Sequence, residues 1–432
     1  MKESIFTTRL EPRMNSMKID LDDYMRINLT KFYLIDKNSL AKYLFYIGVL
    51  LAFYASMSPW FLWRLSSSYV LVSSILIFLS IAIYRSGGKT RFTNGQFIRP
   101  TFAFLILAYY QVIVNGINLN GYIARLFFAF IFFSIFRYGK EFIPKLATIL
   151  AKSLALILSV SIPFFLLYLI GFPLPSQDLT FGDNFYSFTN YFFFLIDDRQ
   201  LFAIVPRFQS VFLEPGYLGS ATALLLQTQR GKWKKWYCIV LICGLLLSFS
   251  LAGYVYLVVV SFLNLWSSGK QILMKAIFTV FLFAGVVGLS FVYNNGDNLI
   301  HNLILLRLEI TDGEMAGNNR VSESFETEYN NFLESSDILF GRDKSNDFGD
   351  SGYKVFFYDY GLVGVVLLFI FYGSFLQGAR NKRAMVSAAV LAFLIFIVDG
   401  FMLWYWRVIP LYCTAHSDDL PQPGEENPVN SK

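Results

Sequence analysis

The stretch LATILAKSLALILSVSIPFFLLYL, residues 146–169, decides the class of fold, because Lys152 is its only ionisable side chain. An α-helix needs about 20 apolar residues to cross the roughly 30 Å of hydrocarbon in a bilayer. Similar runs recur along most of the chain. Their approximate limits are 42–62, 66–84, 100–117, 121–136, 146–169, 210–229, 236–250, 252–267, 275–293, 355–376 and 384–403. The sequence therefore predicts an all-α polytopic membrane protein with about 11 helices (range about 10–12) that cross the bilayer.

Composition excludes the main soluble classes. The chain has 432 residues, of which 55% are hydrophobic and only 15% charged, whereas soluble domains carry about 25% charged residues. Two of its three cysteines, Cys238 and Cys243, lie inside an apolar run, so a disulfide framework is not expected. We assign the net charge of +6 to loops that set orientation rather than to a nucleic-acid surface.

The basic loops predict which side of each span faces the cytoplasm. They are Arg85–Arg99, Arg137–Lys145, Arg230–Lys235, Lys270–Lys275 and Gln377–Arg383. By the positive-inside rule these segments are cytoplasmic, together with an N-terminal tail over residues 1–40. Two large loops, 171–209 and 294–354, then face outward; residues 294–354 hold 12 acidic and 5 basic residues. The membrane domain covers 41–410, and we expect the polar tail 411–432 to lie outside.

The short spans 236–250 and 252–267 allow two interpretations. Basic segments flank the pair on both sides, so the chain must cross an even number of times if both flanks are cytoplasmic. This favours a tight hairpin with its outer turn at Ser248–Gly253. The alternative is one continuous helix over the whole stretch.

Four ionisable side chains fall within the outer half of the predicted membrane region: Arg125, Glu214, Asp359 and Asp399. Each costs roughly 2.5–3.5 kcal/mol at the centre of a membrane helix. Arg125, for example, precedes Arg137 by a helical rise of about 18 Å. We interpret the group as lining a polar cavity that opens to the outer face. The alternative is a set of unrelated residues near helix ends that reach water or pair locally.

The tract PRFQSVFLEPGYLG, residues 206–219, is the most informative part of the chain. In a continuous helix, Arg207 and Glu214 would lie two turns apart on one face, and Pro215 would kink the helix beside the carboxylate. In the alternative interpretation, Pro215 is the first residue of a helix, and the helix dipole favours Glu214.

This tract resembles the mid-chain motif of bacterial O-antigen and capsule repeat-unit polymerases, the Wzy class. Three weaker matches follow in the same order: Ser248–Gly253, Gly317–Arg320 and Asp350–Tyr353, the last just before Tyr360-Gly361. The first of them lacks the arginine that the family shows there. The resemblance covers roughly residues 100–407.

The resemblance implies a GT-C-like glycosyltransferase in the bacterial inner membrane, with an active site that faces the periplasm. Such enzymes join glycan carried on undecaprenyl diphosphate to the non-reducing end of another lipid-linked repeat unit. The product is O-antigen, capsule or exopolysaccharide. The lipid-linked donor and acceptor and membrane lipid are the expected partners, with a chain-length regulator and a flippase as further candidates. Nucleic acid and cofactors are not expected.

Site residues follow from the chemistry of a departing diphosphate. Arginine binds phosphate oxygens with a planar fork and keeps its charge at any depth. The residues expected to bind diphosphate or glycan are Arg207, Arg320, Arg125 and Tyr353. Glu214 is the first candidate for the base that deprotonates the acceptor hydroxyl, and Asp350 is the second; each is alternatively an orienting partner of an arginine. No acidic pair or histidine cluster has metal-ligand spacing, which favours metal-independent transfer.

Two other functions remain open. An O-antigen ligase, which transfers glycan to lipid A–core, shares this topology but relies on a histidine in the late external loop. The sequence has no histidine between Asn302 and Ala415, and His301 falls in a predicted amphipathic surface helix. A flippase or transporter of lipid-linked oligosaccharide is expected to show repeated halves and charges through the depth of its cavity.

Orientation is testable by labelling. Cysteines introduced at Gln177 or Asn330 lie in the two loops predicted to face outward, so they should react with a membrane-impermeant thiol reagent in intact spheroplasts. Labelling that appears only after lysis would contradict the predicted orientation.

Overall fold

The protein is described by a computed structural model. It describes residues 37–65, 68–86, 97–116, 119–182, 186–200, 205–267, 310–311, 314–315, 323–342, 352–377, 379, 381–398 and 403–416, with five isolated positions between 277 and 288. Several predicted features lie outside the described residues. They are Arg320, Asp350, Asp399, His301, the span 275–293 apart from those isolated positions, and nearly all of both tails.

Helices dominate the described part of the chain. The α-helices are α1 Lys37–Ala55, α2 Ser68–Ser86, α3 Ile98–Val114, α4 Leu119–Leu169, α5 Pro215–Thr228, α6 Trp236–Leu247, α7 Leu251–Ser267, α8 Glu323–Leu333, α9 Gly352–Leu376, α10 Lys382–Val398 and α11 Tyr405–His416. Short 3₁₀ helices cover Trp60–Leu65, Asp198–Gln200 and Ser336–Ile338.

Four helical segments of the described chain are long and apolar enough to cross a membrane: Lys37–Ala55, Leu119–Tyr138, Lys145–Leu169 and Gly352–Leu376. Helices α2, α3, α6 and α7 are apolar but shorter. The prediction of a mainly helical protein with membrane-spanning segments is confirmed at this level. The predicted total of eleven crossings stays a prediction. The alternative of one continuous helix over residues 236–267 is wrong, since α6 and α7 are separate helices; the outer position of the turn between them stays a prediction.

Helix α4 differs from the prediction, because it joins two expected spans in one stretch of 51 residues. The loop expected between them has helical backbone. Its charged residues Arg137, Lys140 and Glu141 are good helix formers, so polarity alone does not end a helix there. A straight helix of this length would measure about 76 Å, more than twice the hydrocarbon thickness. Its two apolar segments therefore count as separate candidate spans.

Aromatic rings fill the space between helices. Phe132 of α4 lies 4.8 Å from Phe104 of α3, 6.2 Å from Phe371 of α9 and 4.9 Å from Tyr405 of α11, measured between ring centroids. Helices inside a membrane gain little from apolar burial, so they associate mainly through close packing. The many phenylalanines thus act as the contacts that hold the bundle together.

Helix α11 corrects the expected C-terminal boundary. The membrane domain was expected to end at residue 410, but α11 runs through Pro410 to His416 and is buried along its whole length. Proline is tolerated inside such helices because neighbouring helices satisfy the freed backbone groups. Residues 411–416 therefore belong to the bundle and not to a polar tail.

Helix α11 ends beside two of the segments that are predicted to be cytoplasmic. Arg230 donates a hydrogen bond to the carbonyl of Thr414 at 3.3 Å. His416 lies 2.9 Å from the carbonyl of Phe375 through its Nε2 atom. Both contacts are made beside the basic segments that follow α5 and α9. Residue 416 therefore lies on the same side of the bundle as those segments.

The loop 171–209 folds into a small sheet, which is an exception to the predicted all-α class and which we call the external sheet after the predicted position of this loop. Its antiparallel strands are β1 Gln177–Phe181, β2 Tyr186–Asn190 and β3 Leu195–Asp197 in the order β1-β2-β3. Phe188 of β2 is fully buried and lies 5.7 Å from Trp63 in the 3₁₀ helix that follows α1. Phe188 and Phe194 therefore pack within the protein, whereas Phe192 and Phe193 are exposed. Two further short strands, β4 Ile310–Thr311 and β5 Glu314–Met315, pair with each other.

Part of the loop 294–354 folds against the start of α9. Phe325, Tyr329 and Phe332 of α8 form a buried cluster with Tyr358 of α9. Ion pairs surround the cluster: Arg342 with Glu328 at 2.5 Å and with Asp337 at 2.8 Å, and Lys354 with Glu326 at 2.6 Å. The acidic excess predicted for this loop is thus partly used in pairing.

Helix α9 is broken at Gly361, whose φ of 61° and ψ of −169° are not helical. The turn after Ser336–Ile338 fits into this break. Val363 donates its backbone N–H to the carbonyl of Leu339 at 3.0 Å, and Arg342 donates to the carbonyl of Tyr358 at 2.9 Å. The turn therefore satisfies backbone groups that the break would leave unpaired.

This break generates a stability prediction. A Cβ atom at Gly361 would lie 2.5 Å from the backbone nitrogen of Gly341, and the φ/ψ region is open essentially to glycine alone. Gly361→Ala should destabilise the purified protein by about 1–3 kcal/mol or more, measured as a lower midpoint of thermal unfolding. Gly373→Ala in the same helix is the matched control, since a Cβ there meets nothing within 4 Å among described atoms. Equal midpoints for the two variants would contradict the role of the break.

Candidate functional site

The tract that carries the family resemblance begins as extended chain. Ser210 accepts a backbone hydrogen bond from Leu195 of β3 at 2.8 Å, and Phe208 donates one to Leu247 at the end of α6 at 3.2 Å. Val211 accepts another from Trp60 at 2.9 Å. Residues 206–214 therefore lie between the external sheet and the ends of α1 and α6 as non-helical chain. This chain turns at Ser210, where φ is 53° and Phe212 donates its backbone N–H to the carbonyl of Gln209 at 3.1 Å.

Helix α5 begins only at Pro215, and Glu214 is its N-cap residue with φ −140° and ψ 144°. The prediction of a continuous helix kinked at Pro215 is therefore wrong, and the alternative of a helix start is correct. Proline disfavours helical backbone in the residue before it, and its missing N–H costs nothing at the first helical position. Arg207 and Glu214 consequently do not share a helix face.

Glu214 is half-buried, and its carboxylate faces the external sheet. The hydroxyl of Tyr186 in β2 donates a hydrogen bond to Oε1 of Glu214 at 2.7 Å. The positive charge of Arg199 also interacts electrostatically with Glu214. The guanidinium carbon of Arg199 lies 5.3 Å from the centroid of the Tyr186 ring. One hydrogen bond and one cation thus act on this carboxylate.

Arg199 is itself held in place by Asp197. Its Nη2 lies 2.6 Å from Oδ2 and its Nε lies 2.9 Å from Oδ1 of Asp197, whose side chain is 10% exposed. The hydrogen bonds to Asp197 raise the pKa of Arg199, so it stays charged. Sequence analysis missed Tyr186, Asp197 and Arg199; the signal is the charged triplet 197–199 that follows an aromatic run.

Arg207 lies elsewhere along the tract. It is half-buried, and its charge interacts with the hydroxyl of Tyr254 near the start of α7. Tyr254 donates a hydrogen bond to the carbonyl of Leu246 at 2.6 Å. Arg207 precedes the turn at Ser210 and Glu214 follows it, so the two residues do not belong to one regular element.

Arg125 is surrounded by aromatic side chains. Its charge interacts with the hydroxyl groups of three tyrosines from other helices, Tyr69, Tyr360 and Tyr405. Its guanidinium carbon lies 5.7 Å from the ring centroid of Phe128. Arg125 therefore offers hydrogen-bond donors for an anion at this end of the bundle.

Aromatic contacts connect the surroundings of Glu214 and Arg125. Tyr217 lies one turn beyond Glu214, and its ring centroid is 5.7 Å from that of Trp406. The neighbour of Trp406 is Tyr405, one of the three tyrosines near Arg125. Glu214, Tyr217 and Arg125 therefore lie along one end of the bundle.

Arg407 is a further residue that sequence analysis missed. It is 2% exposed, and its guanidinium carbon lies 4.4 Å from the ring of Trp406. A buried ionisable residue in an apolar helix marks a functional site by default. In the sequence, the signal for this residue is the single charge within LWYWRVIPLY, residues 403–412. Sequence analysis overlooked it because the last span was expected to end at residue 403.

The remaining candidates lie on α9. Tyr353 is 42% exposed in the first turn, with its ring 6.3 Å from Phe396 of α10. Asp359, expected in the outer half of the membrane, is 7% exposed and lies two residues before the break at Gly361. Within the described part of the chain, Tyr353 does not contact the groups around Glu214.

The described residues include no group of three His, Cys, Asp or Glu side chains close enough to hold a metal ion. The predicted base Asp350 and the predicted clamp Arg320 are not among them. Comparisons with protein-family models, with curated proteins and with solved structures found no match for this chain.

Tyr405, two residues before Arg407, generates a prediction. Tyr405 is fully buried, and its hydroxyl has no hydrogen-bond partner among the described residues. An unsatisfied buried hydroxyl costs about 1–3 kcal/mol, so Tyr405→Phe should raise the unfolding midpoint of the ligand-free protein. Tyr412→Phe is the matched control on the same helix, because Tyr412 donates to the carbonyl of Phe136 at 3.0 Å. It should lower the midpoint. A lower midpoint in Tyr405→Phe would contradict the assignment.

Proposed function

We propose that the chain is a membrane glycosyltransferase of the Wzy type, which polymerises undecaprenyl-diphosphate-linked repeat units at the outer face of the bacterial inner membrane. The proposed fold is GT-C-like, with α11 added to the eleven expected spans. The proposal rests on the sequence resemblance and on the chemistry of the residues at one end of the bundle. The product is O-antigen, capsule or exopolysaccharide.

The observation that carries the proposal is the position of Glu214. This residue has extended backbone and directly precedes α5, and the Tyr186 hydroxyl donates a hydrogen bond to its carboxylate at 2.7 Å. A general base must be ionised and within reach of the hydroxyl that it deprotonates. A half-buried carboxylate beside an external sheet, with a cation in electrostatic reach, suits that role.

The proposed reaction is a displacement at the anomeric carbon of the donor. A hydroxyl of the acceptor glycan attacks that carbon and passes its proton to Glu214. The bond between the anomeric carbon and the diphosphate oxygen breaks, and undecaprenyl diphosphate leaves. Negative charge builds on the departing diphosphate, so pre-placed cations lower the barrier. Arg207 and Arg125 are the described candidates, and Arg320 and Asp350 remain proposals from the sequence alone.

Deletion of the gene tests the class of activity. Loss of a polymerase should leave single repeat units attached to their final acceptor, visible as a single short band on a glycan gel. Loss of a flippase should remove the surface glycan altogether. Loss of a ligase should leave polymer on undecaprenyl diphosphate and none on lipid A–core. Either of the last two results would overturn the proposal.

Arg207→Lys tests the diphosphate clamp, since lysine keeps the charge but loses the planar fork. We expect polymer yield to fall by about 10-fold or more at normal expression, on the basis of a charge-assisted hydrogen bond worth about 1.5–3 kcal/mol. Arg64→Lys is the matched control, because Arg64 is exposed on the 3₁₀ helix after α1, and it should leave the yield unchanged. Full-length glycan from Arg207→Lys would remove the support for a clamp.

A further inference from the structure

The side chain of Glu214 does not cap its own helix. Glu214 is the N-cap residue of α5, where a side-chain oxygen ordinarily accepts from the backbone N–H groups of the first turn. No such hydrogen bond is made. The carboxylate instead accepts from Tyr186, 28 residues earlier in the chain. Its orientation is therefore set by the external sheet.

Tyr186 is fixed by contacts on its ring. The ring of Phe188 stacks on it at 5.9 Å with an interplanar angle of 9°, and Arg199 lies 5.3 Å from its centroid. Tyr186 also pairs with Phe181 in the β1–β2 register. Asp197 holds the guanidinium of Arg199 with two hydrogen bonds. The hydroxyl group is thus held at a defined position with few rotamers available.

The same contacts strengthen the hydrogen bond to Glu214. A cation near an aromatic ring stabilises electron density on that ring, so the phenol becomes a better hydrogen-bond donor. The bond occupies Oε1 and leaves Oε2. A Cβ placed on Gly216 would meet only Oε2 of Glu214, at 4.0 Å, among the described residues. On the side of Gly216, the described residues therefore leave space beside Oε2 for an incoming hydroxyl group.

We propose that Tyr186 is a positioning residue for Glu214, and that Asp197 and Arg199 set the orientation and donor strength of Tyr186. The inference rests on the proposed function, since it assigns Glu214 as the base. Tyr186 itself holds Oε1, while Oε2 receives the proton of the acceptor hydroxyl. The segment before α5 and the sheet that precedes it in the chain together place the base.

The test is a double-mutant cycle on the full chain in lipid nanodiscs. The substrate is lipid-linked oligosaccharide extracted from cells that lack this gene. Tyr186→Phe removes one hydroxyl and keeps the ring, so we expect kcat to fall about 10- to 100-fold with KM changed less than about 2-fold. In the Glu214→Gln background the same change should have no further effect on kcat, because the base through which Tyr186 acts is gone.

Tyr191→Phe is the matched control, since it removes a hydroxyl just beyond β2, where Tyr191 stacks on Phe194 at 4.8 Å. Its kcat should equal that of the wild type. Additive losses from Tyr186→Phe and Glu214→Gln, or an unchanged kcat in Tyr186→Phe, would overturn the positioning role alone. Wild-type turnover in Glu214→Gln would instead overturn the assignment of the base, and the inference with it.

Discussion

The proline at position 215 is the constraint on which the arrangement of the site depends. It disfavours helical backbone at Glu214 and lacks the N–H that a longer helix would require. The chain must therefore enter α5 from non-helical backbone. The N–H and C=O groups of that segment need hydrogen-bond partners. The external sheet, the end of α1 and the end of α6 provide them. Glu214 consequently faces the sheet instead of a helix groove.

Glycine allows the helix that follows to pack closely. A Cβ atom on Gly219 of α5 would lie 3.1 Å from the Cα of Gly253 in α7 and 3.1 Å from the Cβ of Ser250. Small residues at such contacts let two backbones approach directly, which is a main source of helix association in membranes. The α6–α7 turn is thereby held against the start of α5. Arg207, next to the end of α6, and Glu214 are placed by the same packing.

The sequence was sufficient to predict most helices of the bundle, because a long apolar run has few alternatives to a membrane helix. It failed at α11, where a short helix contains both Arg407 and Pro410 and resembles the end of a span. It failed also at the loop after residue 137, since charge marks a membrane boundary without ending a helix.

The site was predictable only in part. Glu214, Arg207 and Arg125 are visible as charges near predicted span ends, so the sequence could nominate them. The hydrogen bond between Tyr186 and Glu214 joins an external strand to a helix start, and no local pattern encodes it. The choice between a kinked helix and a helix start at Pro215 likewise depends on the backbone hydrogen bonds of residues 206–214 to β3, to Trp60 and to Leu247.

Polymerisation by the purified chain tests the central claim most directly. The protein in lipid nanodiscs is incubated with lipid-linked repeat unit and the products are separated by size, for the wild type and for Glu214→Gln, with binding of the lipid-linked donor measured in parallel. The account predicts a ladder from the wild type and turnover lower by about 10²–10⁴ in Glu214→Gln, with donor binding retained. No ladder from the wild type, or a normal ladder from Glu214→Gln, would contradict it.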